Sequence, residues 1–165
     1  MIIGFDLDDV VVNSETFIRN YILKKEGYDI GLNREEYLIK IPGHDNKYAD
    51  DLVKEAYSHI EEAGPVKNAL QTIKKIYELT NQKIIFITAR HITGWIPGKV
   101  TLKKKTIDWL EEYISGSNKF QWDVVFSNGH PKSTVLPKEM KYFVEDVAYF
   151  ANDLSKKLET VFLID

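Results

Sequence analysis

A chain of 165 residues, 44% hydrophobic and 28% charged, is the size and composition of one soluble globular domain, and neither a disordered nor a fibrous protein fits it. A net charge of -3 implies no general polyanion-binding surface, so broad nucleic-acid binding is not expected. With no cysteine there are no disulfides and no thiolate chemistry; no apolar run reaches transmembrane length and the chain opens directly into a strand rather than a signal peptide, so a cytoplasmic protein without a membrane partner is the default reading.

The first strand is the apolar run Ile2–Phe5, which stops at Asp6 and Asp8 before Val10–Val12 resume it. Short apolar runs bounded by polar residues are the mark of buried, parallel-sheet strands. Strand alternation puts Asp6 and Asp8 on one side of the backbone if extended geometry persists. Asn13 or Ser14 then caps a helix striped by Phe17, Ile18, Tyr21 and Ile22, and Gly27 ends it. From about residue 28 to 63 the chain is rich in Tyr, Asn, Asp and Glu, with helical patterns at 34–40 and 47–62 and no convincing strand. This stretch reads as a small helical insertion. Pro65 sits in a first helical turn, and Val66, Leu70, Ile73 and Tyr77 stripe that helix as far as Leu79.

A second strand spans 83–87 and ends in Thr88, Ala89 and Arg90. A Gly- and Pro-punctuated loop with Trp95 leads to a helix carrying Leu102, Thr106, Trp109, Leu110 and Tyr113 on one side. Within it, Lys103–Lys105 reads as a solvated charge run. The third strand is 123–126, followed by a short helix at 131–138; the fourth is 142–144, ending at Glu145 and Asp146. Val147, Phe150, Ala151, Leu154 and Leu158 stripe a last helix before a fifth strand at 160–164. Strands alternating with amphipathic helices specify an α/β fold with a Rossmann-like parallel sheet flanked by helices.

The chemistry stands at the strand ends, where open α/β sheets bind ligands. Asp6 and Asp8 held together repel each other unless a cation lies between them, which favours an oxygen-liking ion such as Mg²⁺, although aspartates also end strands for purely structural reasons. Thr88, Lys132, Glu145 and Asp146 complete a set that fits a phosphoryl group beside that ion. One carboxylate can attack phosphorus, and a second can move the proton. Lys138 and Lys141 compete with Lys132, which is favoured because it follows the loop from the third strand. Asp9 is a loop carboxylate or a cap. Arg90 has two readings, a contact to a further anionic group or a surface salt bridge. Tyr48, Tyr57 and Trp95 either stack on a base or form the insertion's own core, and the four histidines show no ligand spacing.

These motifs resemble the haloacid dehalogenase (HAD) superfamily of phosphatases. Its first motif, an apolar strand ending Asp-x-Asp-x-Thr/Val, is matched by Asp6-Leu-Asp-Asp-Val10. Its strand ending in Thr or Ser is matched by Ile84–Thr88, its lysine by Lys132 and its acidic pair by Glu145 and Asp146. The resemblance implies Asp6 as nucleophile and Asp8 as general acid and base. It implies Mg²⁺ held by Asp6, the Asp8 backbone carbonyl and Asp146, with Glu145 acting through water. Thr88 and Lys132, with the neighbouring Ala89 and Arg90, form the expected phosphate-binding set. The superfamily places a helical cap where residues 14–63 lie, which leaves 1–13 and 64–165 as the catalytic core. The compact cap and the Thr-Ala-Arg ending resemble the 5'(3')-deoxyribonucleotidase-like branch.

The expected function is therefore Mg²⁺-dependent hydrolysis of a small phosphorylated metabolite through an aspartyl phosphate. A nucleoside monophosphate is the first candidate, with a sugar phosphate or a polynucleotide end as alternatives. A receiver-type phospho-acceptor domain is disfavoured, because its phosphorylated Asp ends the third strand, which here ends Phe126-Ser-Asn128. A catalytically silent binding module has nothing in its favour, since every catalytic position is filled.

Overall fold

The computed structural model describes residues 1–30, 41–91, 101–114 and 121–164. Five parallel strands, β1 (Ile2–Asp6), β2 (Ile84–Thr88), β3 (Trp122–Phe126), β4 (Met140–Glu145) and β5 (Thr160–Leu163), form one sheet in the order β3-β2-β1-β4-β5. β1 is central, so all of its backbone groups find partners and its side chains are covered on both faces. That is why it reads as an unbroken apolar run. On one face Ile3 and Phe5 pack with Ile84, Phe86, Ile73, Trp109 and Leu110. On the other, Ile85, Ile87, Met140, Phe143 and Leu154 pack together. Gly4 faces this second cluster, where an added Cβ would lie 2.4 Å from Phe143 and 2.8 Å from the Met140 sulfur. Only a residue without a side chain lets Phe143 close over the central strand.

The helices are α1 (Ser14–Glu26), α2 (Asn46–Tyr57), α3 (Ala69–Thr80), α4 (Leu102–Ile114) and α5 (Ala148–Leu154), with 3₁₀ turns at Ile60–Glu62 and Lys132–Thr134. Gly27 ends α1 in the left-handed region at φ 69°, donating its N–H to Leu23 O. α1 and α2 share a small core of Ile18, Ile22, Ile41, Ala49, Leu52 and Ala56. The two ends of this helical segment meet: Asn13 N–H donates to Gly64 O at 2.9 Å, and Val66 N–H to Val11 O at 2.8 Å. Lys105 and Trp109 of α4 fasten the return, Lys105 to Ser58 O and Glu61, and Trp109 Nε1 to Ala63 O at 2.7 Å.

Several expectations are corrected. Pro65 and Val66 are not helical; Pro65 bridges to Val12, Asn68 turns the chain at φ 66°, and α3 begins only at Ala69. Pairing with the loop after β1 outcompetes the helical preference there. Lys105 is no solvated charge, because its ammonium has a buried-side partner in the Ser58 carbonyl. The last helix stops at Leu154, four residues short of Leu158. The helical pattern at 34–40 and Trp95 fall outside the described residues.

Candidate active site

The extended geometry that would set Asp6 and Asp8 on one side of the backbone does not persist beyond Asp6. β1 ends at Asp6, and residues 7–12 fold into a tight turn in which Val11 and Val12 N–H both donate to Leu7 O and Asp9 N–H donates to Val12 O. Asp9 enters the left-handed region at φ 58°, and its carboxylate accepts the Glu15 N–H at 2.8 Å. Asp9 thus supplies the side-chain cap of α1, while Asn13 stands at the N-cap position without a side-chain capping hydrogen bond. The partners of Asp6 lie on the β4 side and those of Asp8 on the β2 side, and the two carboxylates remain close enough for Asp8 to repel the charge on Asp6.

Asp6 is buried; its Oδ1 accepts its neighbour Leu7 N–H at 2.7 Å, and its Oδ2 lies 2.8 Å from Lys132 Nζ. Lys132 is 2% exposed and also donates to the fully buried Glu145 at 2.7 Å. The 3₁₀ turn after β3 carries it under the sheet end, where the Phe150 ring lies 5.0 Å from its ammonium. Lys138 is exposed, and Lys141 pairs at the surface with Glu159. Carboxylate oxygens of Asp6, Glu145 and Asp146 lie within 4.8 Å of one another. Three carboxylates and one ammonium leave a local excess of two negative charges, and Asp146 Oδ1 is buried with no hydrogen-bond partner.

Electrostatics follows from this crowding. Burial pushes Asp6 well above the ordinary carboxylate range, and Glu145 and Asp8 add to that push against the pull of Lys132. Burial, followed by repulsion from Glu145, lifts Asp146 to about 6. Lys132 loses stability as a cation by burial, but Asp6 and Glu145 more than compensate and keep it protonated. The all-oxygen donor set of Asp6, Glu145 and Asp146 could hold a hard divalent cation such as Mg²⁺. The Asp8 carboxylate does not belong to the acidic cluster.

Asp8 instead lies on the β2 side. Arg90 Nη2 and Nε approach it at 2.6 and 3.0 Å, Ser14 Oγ donates to its Oδ1, and Thr88 Oγ1 stands 3.4 Å from its Oδ2. Burial alone would raise Asp8, but the Arg90 guanidinium outweighs it and holds the carboxylate below its ordinary range. Arg90 is 4% exposed, so its ion pair with Asp8 is a buried one and not a surface salt bridge. Its Nη1 donates to Thr106 Oγ1 at 3.0 Å, and the Tyr57 ring centroid lies 6.0 Å from its Cζ. Thr88 is fully buried and accepts the Arg90 N–H at 3.2 Å, while the Ala89 carbonyl accepts from Gly129. Ser14, Thr106 and Tyr57 were not singled out for this cluster by their sequence positions. Ser14 reads as a helix cap, Thr106 as one residue of a stripe, and Tyr57 as part of the insertion.

No family model matches the sequence, and no curated protein matches it. Solved structures do. A haloacid dehalogenase-like hydrolase from Streptococcus pneumoniae superposes with a TM-score of 0.62 at 13% identity, over 99% of this chain and 84% of that one. A protein assigned as a beta-phosphoglucomutase from Thermotoga maritima gives 0.55 at 14% identity, over 99% and 85%. CbbY from Rhodobacter sphaeroides, solved with phosphate, gives 0.52 at 13% identity, over 99% and 86%. The five-stranded parallel sheet, its flanking helices and the helical segment after β1 together are the fold of the haloacid dehalogenase-like hydrolases.

Proposed function

We propose that the protein is a Mg²⁺-dependent phosphomonoester hydrolase of the HAD superfamily. The observation that carries this reading is the Asp6 carboxylate at the end of the central strand, flanked by Lys132 and by the acidic pair Glu145 and Asp146. Asp6 attacks phosphorus, forms an aspartyl phosphate and expels the alcohol; water then releases inorganic phosphate and restores the carboxylate. Lys132 offsets the charge that gathers on Asp6 and the phosphoryl oxygens, and Thr88 lies at the neighbouring strand end to hold one of those oxygens. Asp8, which Arg90 favours as the carboxylate, gains a proton as the negative phosphoryl group arrives beside it, gives that proton to the leaving oxygen and then takes one from the attacking water. Asp6, Asp146 and the Asp8 carbonyl would hold the ion, with Glu145 behind them, and the ion would supply electrostatic stabilisation of the phosphoryl charge.

The substrate is a small phosphorylated metabolite. The ends of the segment 14–63 meet where Asn13 N–H donates to Gly64 O, and in this reading its described helices serve as the lid that meets the leaving group. The nucleoside monophosphate reading rests on the resemblance of the compact cap and the Thr88-Ala89-Arg90 ending, and the Arg90 guanidinium that could add a contact to a further anionic group is already engaged by Asp8. A sugar phosphate gains support from the relative assigned as a beta-phosphoglucomutase. A screen of nucleoside monophosphates, sugar phosphates and short phosphorylated oligonucleotides, with Mg²⁺ and with chelator, tests both levels. Release of phosphate from none of them contradicts the reaction, and a preference for nucleotides contradicts the sugar.

A further inference from the structure

Asp8 needs a fixed direction to do its work. Its carboxylate turns about two single bonds, so without partners it would sample several rotamers at the mouth of the site. Arg90 makes most of the contacts that remove that freedom, beside the Ser14 and Thr88 hydroxyls. Nε and Nη2 both engage the Asp8 carboxylate, a fork-on-fork contact that fixes plane as well as position. The guanidinium is fixed in its turn. Nη1 donates to Thr106 Oγ1, and that hydroxyl donates to Leu102 O one turn back in α4 at 2.8 Å. Three nitrogens of one buried arginine are therefore committed, none of them to open solvent.

We propose that Arg90 is a positioning residue of the reaction, which fixes the plane and position of the Asp8 carboxylate and is itself fixed by Thr106 of α4. This rests on the phosphatase reading above, in which Asp8 moves the proton. It replaces a phosphate contact for Arg90 with an indirect role, because the fork that would grip a phosphoryl group already grips Asp8.

The two roles separate by leaving group. An alkyl phosphate releases an alkoxide and needs Asp8's proton, whereas a nitrophenyl phosphate releases a stable phenolate and does not. The value of kcat/KM reports steps up to the first irreversible one, so it isolates this difference from the later attack of water. Arg90→Met should lower kcat/KM for an alkyl phosphate on the order of a hundredfold, within the range that proton transfer contributes, and lower it far less for 4-nitrophenyl phosphate. Thr106→Val keeps the guanidinium and should give a weaker loss with the same split; Arg90→Lys keeps the charge without the fork and should fall between. If Arg90→Met does not fold, as judged by its thermal melt, the other two variants decide. Equal losses on the two esters would make Arg90 a phosphate or structural residue and overturn the proposal. So would a gain on the alkyl ester, which would make the pair a restraint. Wild-type protein that hydrolyses neither ester overturns the phosphatase reading itself, a failure distinct from either of these.

Discussion

Asp6 and Glu145 share a single ammonium: Lys132 Nζ lies 2.8 Å from one carboxylate and 2.7 Å from the other, and all three groups are buried. Removing the shared cation strands two carboxylates in a medium that solvates them poorly. Lys132→Met should therefore destabilise the metal-free protein by about 3–5 kcal/mol, measured by urea unfolding. A loss under about 1 kcal/mol would mean that water already reaches these groups.

The acidic cluster makes a pH prediction with a definite sign. Asp146 is lifted from 3.8 to about 6 in the folded protein, so the native state binds its proton more tightly than the unfolded chain does. Its contribution is fully present below the unfolded value and is lost as pH rises through the folded one. Asp146→Asn removes that titration. The stability of the variant relative to wild type, without metal, should climb between about pH 4 and pH 7. Parallel curves over that window would contradict the burial of a stranded carboxylate.

A bound divalent cation should reverse the same penalty. Added Mg²⁺ should raise the melting temperature of wild type more at about pH 8 than at about pH 5, because only ionised carboxylates bind it. Asp146→Asn should lose most of the gain. A Mg²⁺ shift independent of pH and of Asp146 would place the ion elsewhere.

Gly4 tests the packing that carries the site. Gly4→Ala drives a methyl into the Phe143 ring, with the Met140 sulfur and methyl as its next neighbours. Met140 can turn aside, but the buried ring cannot move far. The cost should be about 1–3 kcal/mol by urea unfolding, in the range of other overpacked cores. A neutral effect would show that β4 slides freely against β1.

Sequence patterning reveals the sheet because each strand is built on a short apolar run, and it points to Asp6, Thr88, Glu145 and Asp146 because they stand at or just beyond the ends of three of them. What it misses is set by tertiary contacts. The direction of Asp8 depends on a turn whose hydrogen bonds are made between backbone groups of residues 7–12, with no side-chain signature beyond Asp9. The partner of Asp8 stands 82 residues away, so burial of Arg90 cannot be read locally. Pro65 shows the same limit, as a helix-starting residue captured by Val12 across the chain.

The most direct measurement is phosphate release by wild type and Asp6→Asn on the best substrate of the screen, in Mg²⁺, with melting temperatures recorded alongside. Asn keeps the shape of the side chain but cannot act as a nucleophile at phosphorus. The account predicts that the variant folds and its turnover disappears into the assay background. A folded Asp6→Asn protein that retains substantial turnover would contradict it.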